Sequence, residues 1–449
     1  MKGRIYNMAY TKNMTEGKPF PIIFAYYIPI LCSTIFQQLY SIVDTIIVSK
    51  GIDDMAMTAV GASGSITFFI FGFIMGLGSG MAVLMAQAYG AGNYEHLRKT
   101  ITMGFVSCFA VGILVMLLSA AFVKPLLLAL NTPAEIMDAA LLYVLIIIWG
   151  IPLTLIYNCL GAILNALGDS RTPLIAVIIS TIINVALDIL LIVGFGMGVE
   201  GAAIATLIAQ GCSGIFCYLK IRKIPAVHLK KEDWKLDMKL VLEQFKIGVP
   251  VAFMNSITAI GCLLLQYFVN VLGVEYAASY SACSRITQFL FQPSSAVGSA
   301  ISTYAGQNLG AGKIDRITKG IKAAAKISAT ITVIASALLI FTPRLLASII
   351  LTEPQYIDIS VNYLRISGIM MWSIAFLFLV RSTLQGMGFT IVPMASGFLE
   401  LAARVVMILL LVDHLGYTAI VIAEVTAWFS AFLLNGGHLF IKMKKLKKQ

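Results

Sequence analysis

Gln87-Ala-Tyr-Gly-Ala-Gly-Asn-Tyr-Glu95 closes one long apolar stretch of this chain, and Gln307-Asn-Leu-Gly-Ala-Gly-Lys-Ile-Asp315 closes another. The two lie about 220 residues apart, a spacing that is itself a period. The same offset pairs Asn165-Ala-Leu-Gly-Asp-Ser-Arg-Thr-Pro173 with Gln385-Gly-Met-Gly-Phe-Thr-Ile-Val-Pro393. Ile28-Pro29 matches Val249-Pro250 one residue out of step. Outward from these turns, the apolar stretches fall near 20–49, 55–88, 98–122, 134–168, 171–194, 199–222, 239–272, 275–308, 316–342, 352–388, 391–412 and 416–442. Each is close to or longer than the roughly 20 residues a helix needs to cross the hydrocarbon core. A transmembrane β-barrel would instead alternate in strands of about 10 residues. The expected fold is an all-α membrane protein of twelve transmembrane helices.

Composition agrees. The chain is 59% hydrophobic and 12% charged, with a mean hydropathy of +0.91, whereas soluble domains carry roughly 25% charged residues. Residues 223–238 form the one sizeable charged interruption. They divide the chain into an N-terminal six-helix lobe (1–222), a cytoplasmic linker (223–238) and a C-terminal six-helix lobe (239–449). Six spans return the chain to its starting side, so both lobes have one orientation. The pseudo-twofold axis relating the two bundles is then expected along the membrane normal. In the linker, Trp234 and Leu236 either dip into the membrane surface or belong to a solvated tether.

The net charge of +11 raises the question of nucleic acid, and its placement answers it. Of 32 Lys and Arg, 25 fall at the N-terminus, in even-numbered loops or in the C-terminal run; only Lys50, Lys124 and Arg344 fall in odd-numbered loops. That is the positive-inside pattern. It predicts an inner (cytoplasmic) membrane protein with both termini cytoplasmic and no nucleic-acid partner. The seven cysteines lie in apolar segments without metal-ligand spacing, and free thiols are expected. Gly72, Gly76 and Gly80 read as close helix packing through small residues. Ala311-Gly312-Lys313 lacks the Gly and Ser/Thr of a phosphate loop, so no ATP site is expected and any uphill transport would have to draw on an ion gradient.

Carboxylates inside spans are costly and are functional candidates by default. Four occur: Asp44, Asp188, Glu400 and Glu424. Asn184 and Asp188 are four apart on one helix face, as are Ala202 and Thr206 on the next span. Asp44, Asn184, Asp188, the carbonyl of Ala202 and Thr206 offer the oxygen ligands that a hard cation such as Na⁺ prefers. The two carboxylates could instead share a proton, since adjacent like charges disfavour double ionisation. A third reading is helix packing alone. Glu400 and Arg404 are four apart and suit a structural ion pair; Glu424 has no evident partner. Gln37, Gln38, Tyr40, Asn158, Asn165, Asn255, Gln288 and Gln292 are polar residues that would line a substrate cavity or hydrogen-bond between helices.

Over essentially its whole length the chain resembles the multidrug and toxic compound extrusion (MATE) family. The resemblance rests on the two six-helix halves, the duplicated Gln-x-x-Gly-Ala-Gly turn and the Leu167-Gly-Asp-x-x-x-Pro173 turn. It implies that Asp44, Asn184, Asp188, Ala202 and Thr206 form an N-lobe site for Na⁺ or a proton. It further implies export of lipophilic cations from a V-shaped cavity between lobes, by rocker-switch alternating access. Another branch of that family carries acidic ligands in spans 7 and 10 of the C-lobe. Here span 7 has no acid after Glu243, and span 10 has only Glu353 and Asp358 near its outer end. The expectation is a monomeric cation-coupled antiporter in contact with membrane lipids, without cofactor beyond the coupling ion. A lipid-linked sugar or polysaccharide flippase is the alternative, and would be favoured by Arg285 and Arg381 both facing a cavity. A membrane enzyme is disfavoured, since the four histidines are scattered and no HExxH occurs.

Overall fold

The structure, a computed structural model, describes residues 13–52, 54–129 and 132–448. The described residues are helical almost throughout. In chain order the helices are α1 (Pro19–Gly51), α2 (Asp54–Gly90), α3 (Tyr94–Ala129), α4 (Ala134–Trp149), α5 (Ile151–Ala166), α6 (Arg171–Asp188), α7 (Val199–Ile221), α8 (Met238–Leu272), α9 (Val274–Gly310), α10 (Ile314–Phe341), α11 (Pro343–Ser348), α12 (Pro354–Gly386), α13 (Ile391–Leu415) and α14 (Tyr417–Leu446). Among the described residues ten are long and apolar enough to cross a membrane, and α4 with α5, bent by 49°, makes an eleventh if the pair is one span. The bend falls at Gly150-Ile151-Pro152, where proline cannot donate to the helical ladder. The 37-residue α9 occupies the remaining position of the twelve-span pattern. It is less apolar than the others because Ser279, Thr287, Ser294, Gln307 and Asn308 are buried along it.

The duplicated motifs are helix stops. Gly92 and Gly312 both have φ +69°, and Gly168 and Gly388 have φ +79° and +83°. At all four turns the residue after the glycine returns its N–H to a carbonyl five back: Asn93 to Ala88, Asp169 to Leu164, Lys313 to Asn308 and Phe389 to Leu384. The glycine itself bonds three back. This is the Schellman cap, which needs a left-handed residue and therefore favours glycine. Asp169 then starts α6. Its Oδ1 accepts from the N–H groups of Arg171 and Thr172 (both 3.0 Å), and its Oδ2 from the Thr172 hydroxyl (2.6 Å). Burial raises the Asp169 pKa above the ordinary carboxyl value, and those hydrogen bonds oppose the shift.

The chain divides into two compact units. The first holds Ile28–Val249; the second holds Met14–Tyr27 and Pro250–Gln449. In the first, α2 packs on α3, α4 and α5, and α7 on α4, α5 and α6. In the second, α12 is central and packs on α9, α10 and α14, with α13 against α14. The linker is docked rather than loose. Asp233, 3% exposed, accepts from Arg98 Nε (3.0 Å), and its carbonyl accepts from the Thr102 hydroxyl of α3 (2.5 Å). Trp234 and Leu236 remain exposed. All seven cysteines are free thiols.

Of the glycines spaced by four on α2, Gly80 is the tight one. A Cβ there would lie 2.3 Å from the Gln244 carbonyl oxygen and 2.7 Å from the Gly248 nitrogen of α8, whereas one at Gly72 meets nothing within 4 Å. The obstacle is backbone, which cannot rotate away. Gly80→Ala is therefore expected to destabilise the protein by about 1–3 kcal/mol, the cost of forcing atoms into a packed interior. The thermal unfolding midpoint of detergent-purified protein reads this, and Gly72→Ala should leave it unmoved.

Candidate functional site

Three helices of the first unit carry the predicted oxygen groups, and the structure brings them together. Asp188 ends α6 and Asn184 lies one turn earlier; both are 0% exposed. The Asn184 amide is oriented by its neighbours: its nitrogen donates to Asp188 Oδ2 (2.7 Å), and its oxygen accepts from the Thr206 N–H of α7 (3.2 Å). The Thr206 hydroxyl lies 3.0 Å from the Tyr40 hydroxyl of α1. One turn beyond Tyr40, the Asp44 carboxyl comes within hydrogen-bonding reach of the Asp188 carboxyl. The Oδ1 atoms of both aspartates are buried without a hydrogen-bond partner. Ala202, 1% exposed, packs with Val48, Ile192 and Val199 in a small apolar cluster on which Tyr143 also packs. The arrangement can hold a proton between two carboxyls, or a small hard cation among carboxylate, amide and hydroxyl oxygens.

One feature of this site had no signal in the sequence. After Asp188 the helix widens into a π turn, Ile189–Gly194, closed by Phe195 N–H to Leu190 O (2.9 Å). Hydropathy along 171–194 is uninterrupted, so an ordinary helix was the natural expectation. Single π turns recur at functional sites because they re-aim neighbouring side chains. Thr206→Val, which keeps shape and removes the hydroxyl, deletes the link to Tyr40. The loss of one hydrogen bond is expected to destabilise the protein by about 1 kcal/mol, read as a lower thermal unfolding midpoint in detergent.

The polar residues expected at a cavity divide by unit. In the first, Gln37 is exposed, Tyr40 belongs to the network above, and the Asn158 amide donates to the Thr154 carbonyl of its own helix (2.8 Å). In the second, Gln288 is exposed while Asn255 and Gln292 are half-buried.

The second unit has its own buried charges. Glu400 does form an ion pair with Arg404, at 3.9 Å, but its close partner is Arg381 of α12, a pairing that linear spacing could not reveal. All three are less than 9% exposed, and Arg404 keeps Nε and Nη1 buried without a hydrogen-bond partner. Gly261 of α8 makes room for Arg404, since a Cβ there would lie 2.3 Å from its Nη1. Glu424 has a partner after all: the Tyr363 hydroxyl donates to it. Among the described residues no group of three or more His, Cys, Asp or Glu is placed to hold a metal ion.

Comparison with known proteins agrees with this architecture. The MatE family model matches twice, over residues 29–190 and 250–410, once for each half of the duplication. Among curated proteins, the probable multidrug resistance protein YoeA of Bacillus subtilis is 26% identical over 438 residues, covering 94% of this chain and 93% of its own length. The probable multidrug resistance protein NorM of Thermotoga maritima is 26% identical over 83% of this chain and 81% of its own. The multidrug export protein MepA of Staphylococcus aureus is 23% identical over 84% and 85%. Among solved structures, a MATE protein in the straight conformation superposes with a TM-score of 0.90 at 21% identity, over 98% of this chain and 100% of that one. A MOP-superfamily transporter from Pyrococcus furiosus superposes with a TM-score of 0.91 at 20% identity, again over 98% and 100%. With both halves of the chain matched, this protein belongs to the MatE family of multidrug and toxic compound extrusion transporters.

Proposed function

We propose that the protein is a cation-coupled antiporter that exports lipophilic, mostly cationic compounds, with Na⁺ or H⁺ bound at Asp44, Asn184, Asp188 and Thr206. The observation that carries this reading is the pair of facing carboxyls with their Oδ1 atoms buried and unpartnered. Two carboxylates in a low-dielectric interior require a compensating cation or proton. No arginine or lysine pairs with either of them among the described residues. The ion acts by binding one conformation more tightly than another, and it shifts that equilibrium only by its differential affinity. Inward ion movement then favours the drug-releasing state. The positive-inside distribution supports both termini on the cytoplasmic side.

The flippase reading asked for Arg285 and Arg381 both facing the central cavity. Arg285 is exposed, but Arg381 is buried and bound to Glu400, which favours the antiporter. The test is export of a fluorescent lipophilic cation from proteoliposomes, driven separately by an imposed Na⁺ gradient and an imposed pH gradient. Export under either gradient identifies the coupling ion. Export indifferent to both, by folded protein, refutes coupling.

A further inference from the structure

Ahead of α1, residues Met14–Gly17 are bound to the second copy of the duplicated turn. The Met14 N–H donates to Gln307 Oε1 (2.9 Å). The Met14 carbonyl accepts from Asn308 Nδ2 (3.2 Å) and Arg316 Nη2 (3.0 Å). Lys313 Nζ donates to the Thr15 carbonyl (2.9 Å), and Arg316 Nη1 to the Gly17 carbonyl (2.8 Å). Arg316 Nε is held in turn by Asn308 Oδ1 (3.0 Å). Met14 is 0% exposed and Thr15 5%. Charge-assisted bonds to backbone carbonyls fix the strap whatever its side chains, and they are among the stronger hydrogen bonds. At the equivalent positions the first copy of the turn has Ala88, Asn93 and His96. There Asn93 Oδ1 accepts from the His96 N–H, an ordinary turn contact.

What the strap leads into gives it a task. Up to Tyr27, α1 belongs to the second unit, where the Tyr26 hydroxyl lies 3.4 Å from that of Thr303. From Ile28, next to Pro29, the same helix belongs to the first unit and carries Tyr40 and Asp44. The start of α8 is the mirror case. It belongs to the first unit through Val249, with Gln244 donating to the Thr100 carbonyl (2.8 Å) and accepting from Ser107 (3.3 Å), and to the second from Pro250. A proline inside a helix removes a ladder bond and localises bending. A connector transmits displacement only if both of its ends are held. In α1 the far end is held by the Tyr40–Thr206 contact and the near end by the strap.

We propose that the 14–17 strap is the fixed anchor of α1, and that Asn308, Lys313 and Arg316 are positioning residues through which ion binding at Asp44 acts on the second unit. The inference rests on the ion-coupled reading above. It is tested by inserting Gly-Gly-Gly between Gly17 and Lys18, which leaves every clamp contact available but makes the connection to α1 slack. Ion-driven dye efflux is expected to fall about tenfold, within the range of one coupling free energy between sites, while the thermal unfolding midpoint stays that of the parent. The Lys313→Met/Arg316→Gln pair, which frees the strap without lengthening the chain, is expected to show the same fall with drug binding retained. Parental efflux from either variant overturns the proposal, as does loss of drug binding in step with efflux. Parent protein in matched vesicles separates the two ideas: its indifference to ion gradients would refute coupling itself, not the anchor alone.

Discussion

Asp188→Asn is expected to abolish ion-driven efflux while the protein still accumulates in the membrane. The substitution keeps the shape of a fully buried side chain and removes its charge, so the helix-packing role survives and the ion-binding role does not. It also leaves the Asn184 amide, which donates to Asp188 Oδ2, facing a weaker partner. Removing one partner of a buried, hydrogen-bonded charge pair costs about 2–5 kcal/mol, or about 30-fold and upward in ion affinity. Asp44→Asn should act alike, because one carboxylate alone can neither share a proton with its neighbour nor supply both charges to a cation. Dye efflux from energised vesicles, normalised to membrane-inserted protein, measures the effect. Parental efflux from a well-expressed Asp188→Asn protein would leave these carboxyls with a packing role alone.

Glu400→Gln is expected to have an equally large effect, but on stability. Glu400 faces both Arg381 and Arg404 within the second unit, and all three side chains are buried. Neutralising it removes the ion-pair partner of two buried guanidinium groups, and breaking a buried pair from one side typically costs 3–5 kcal/mol. The unfolding midpoint in detergent should fall sharply and the yield of folded protein with it. Replacing Arg381, Glu400 and Arg404 together by Met should recover most of the loss, because an apolar set of similar volume removes the buried charge as well as its partner. A Glu400→Gln protein as stable as the parent would mean that water reaches these arginines.

The bilayer makes much of this molecule readable from one dimension. A spanning helix must satisfy its backbone internally and present about 20 apolar residues, so each span appears as a local run. The turns at 87–95 and 307–315 are readable for a similar reason. A Schellman cap lies within six residues of chain, and its left-handed position selects glycine at Gly92 and Gly312 without help from the rest of the fold. Asp44 and Asp188 stand out because carboxylates in apolar runs are few, and the spacing of four places Asn184 and Asp188 on one face of α6.

Partner choice between distant helices was decided only in three dimensions. Nothing in the spacing of Glu400 and Arg404 announces Arg381 of α12 as the closer partner, or Tyr363 as the donor to Glu424. The π turn after Asp188 leaves no mark on hydropathy, because it changes backbone pitch and not composition. The passage of α1 and α8 from one compact unit to the other, next to Pro29 and Pro250, depends on contacts between distant parts of the chain, and the clamp on Met14–Gly17 on contacts almost 300 residues apart. Transfer to lipid and helix capping are local free energies, which the order of residues determines by itself. Which buried donor meets which acceptor depends on how whole helices pack, and that is a property of the tertiary structure alone.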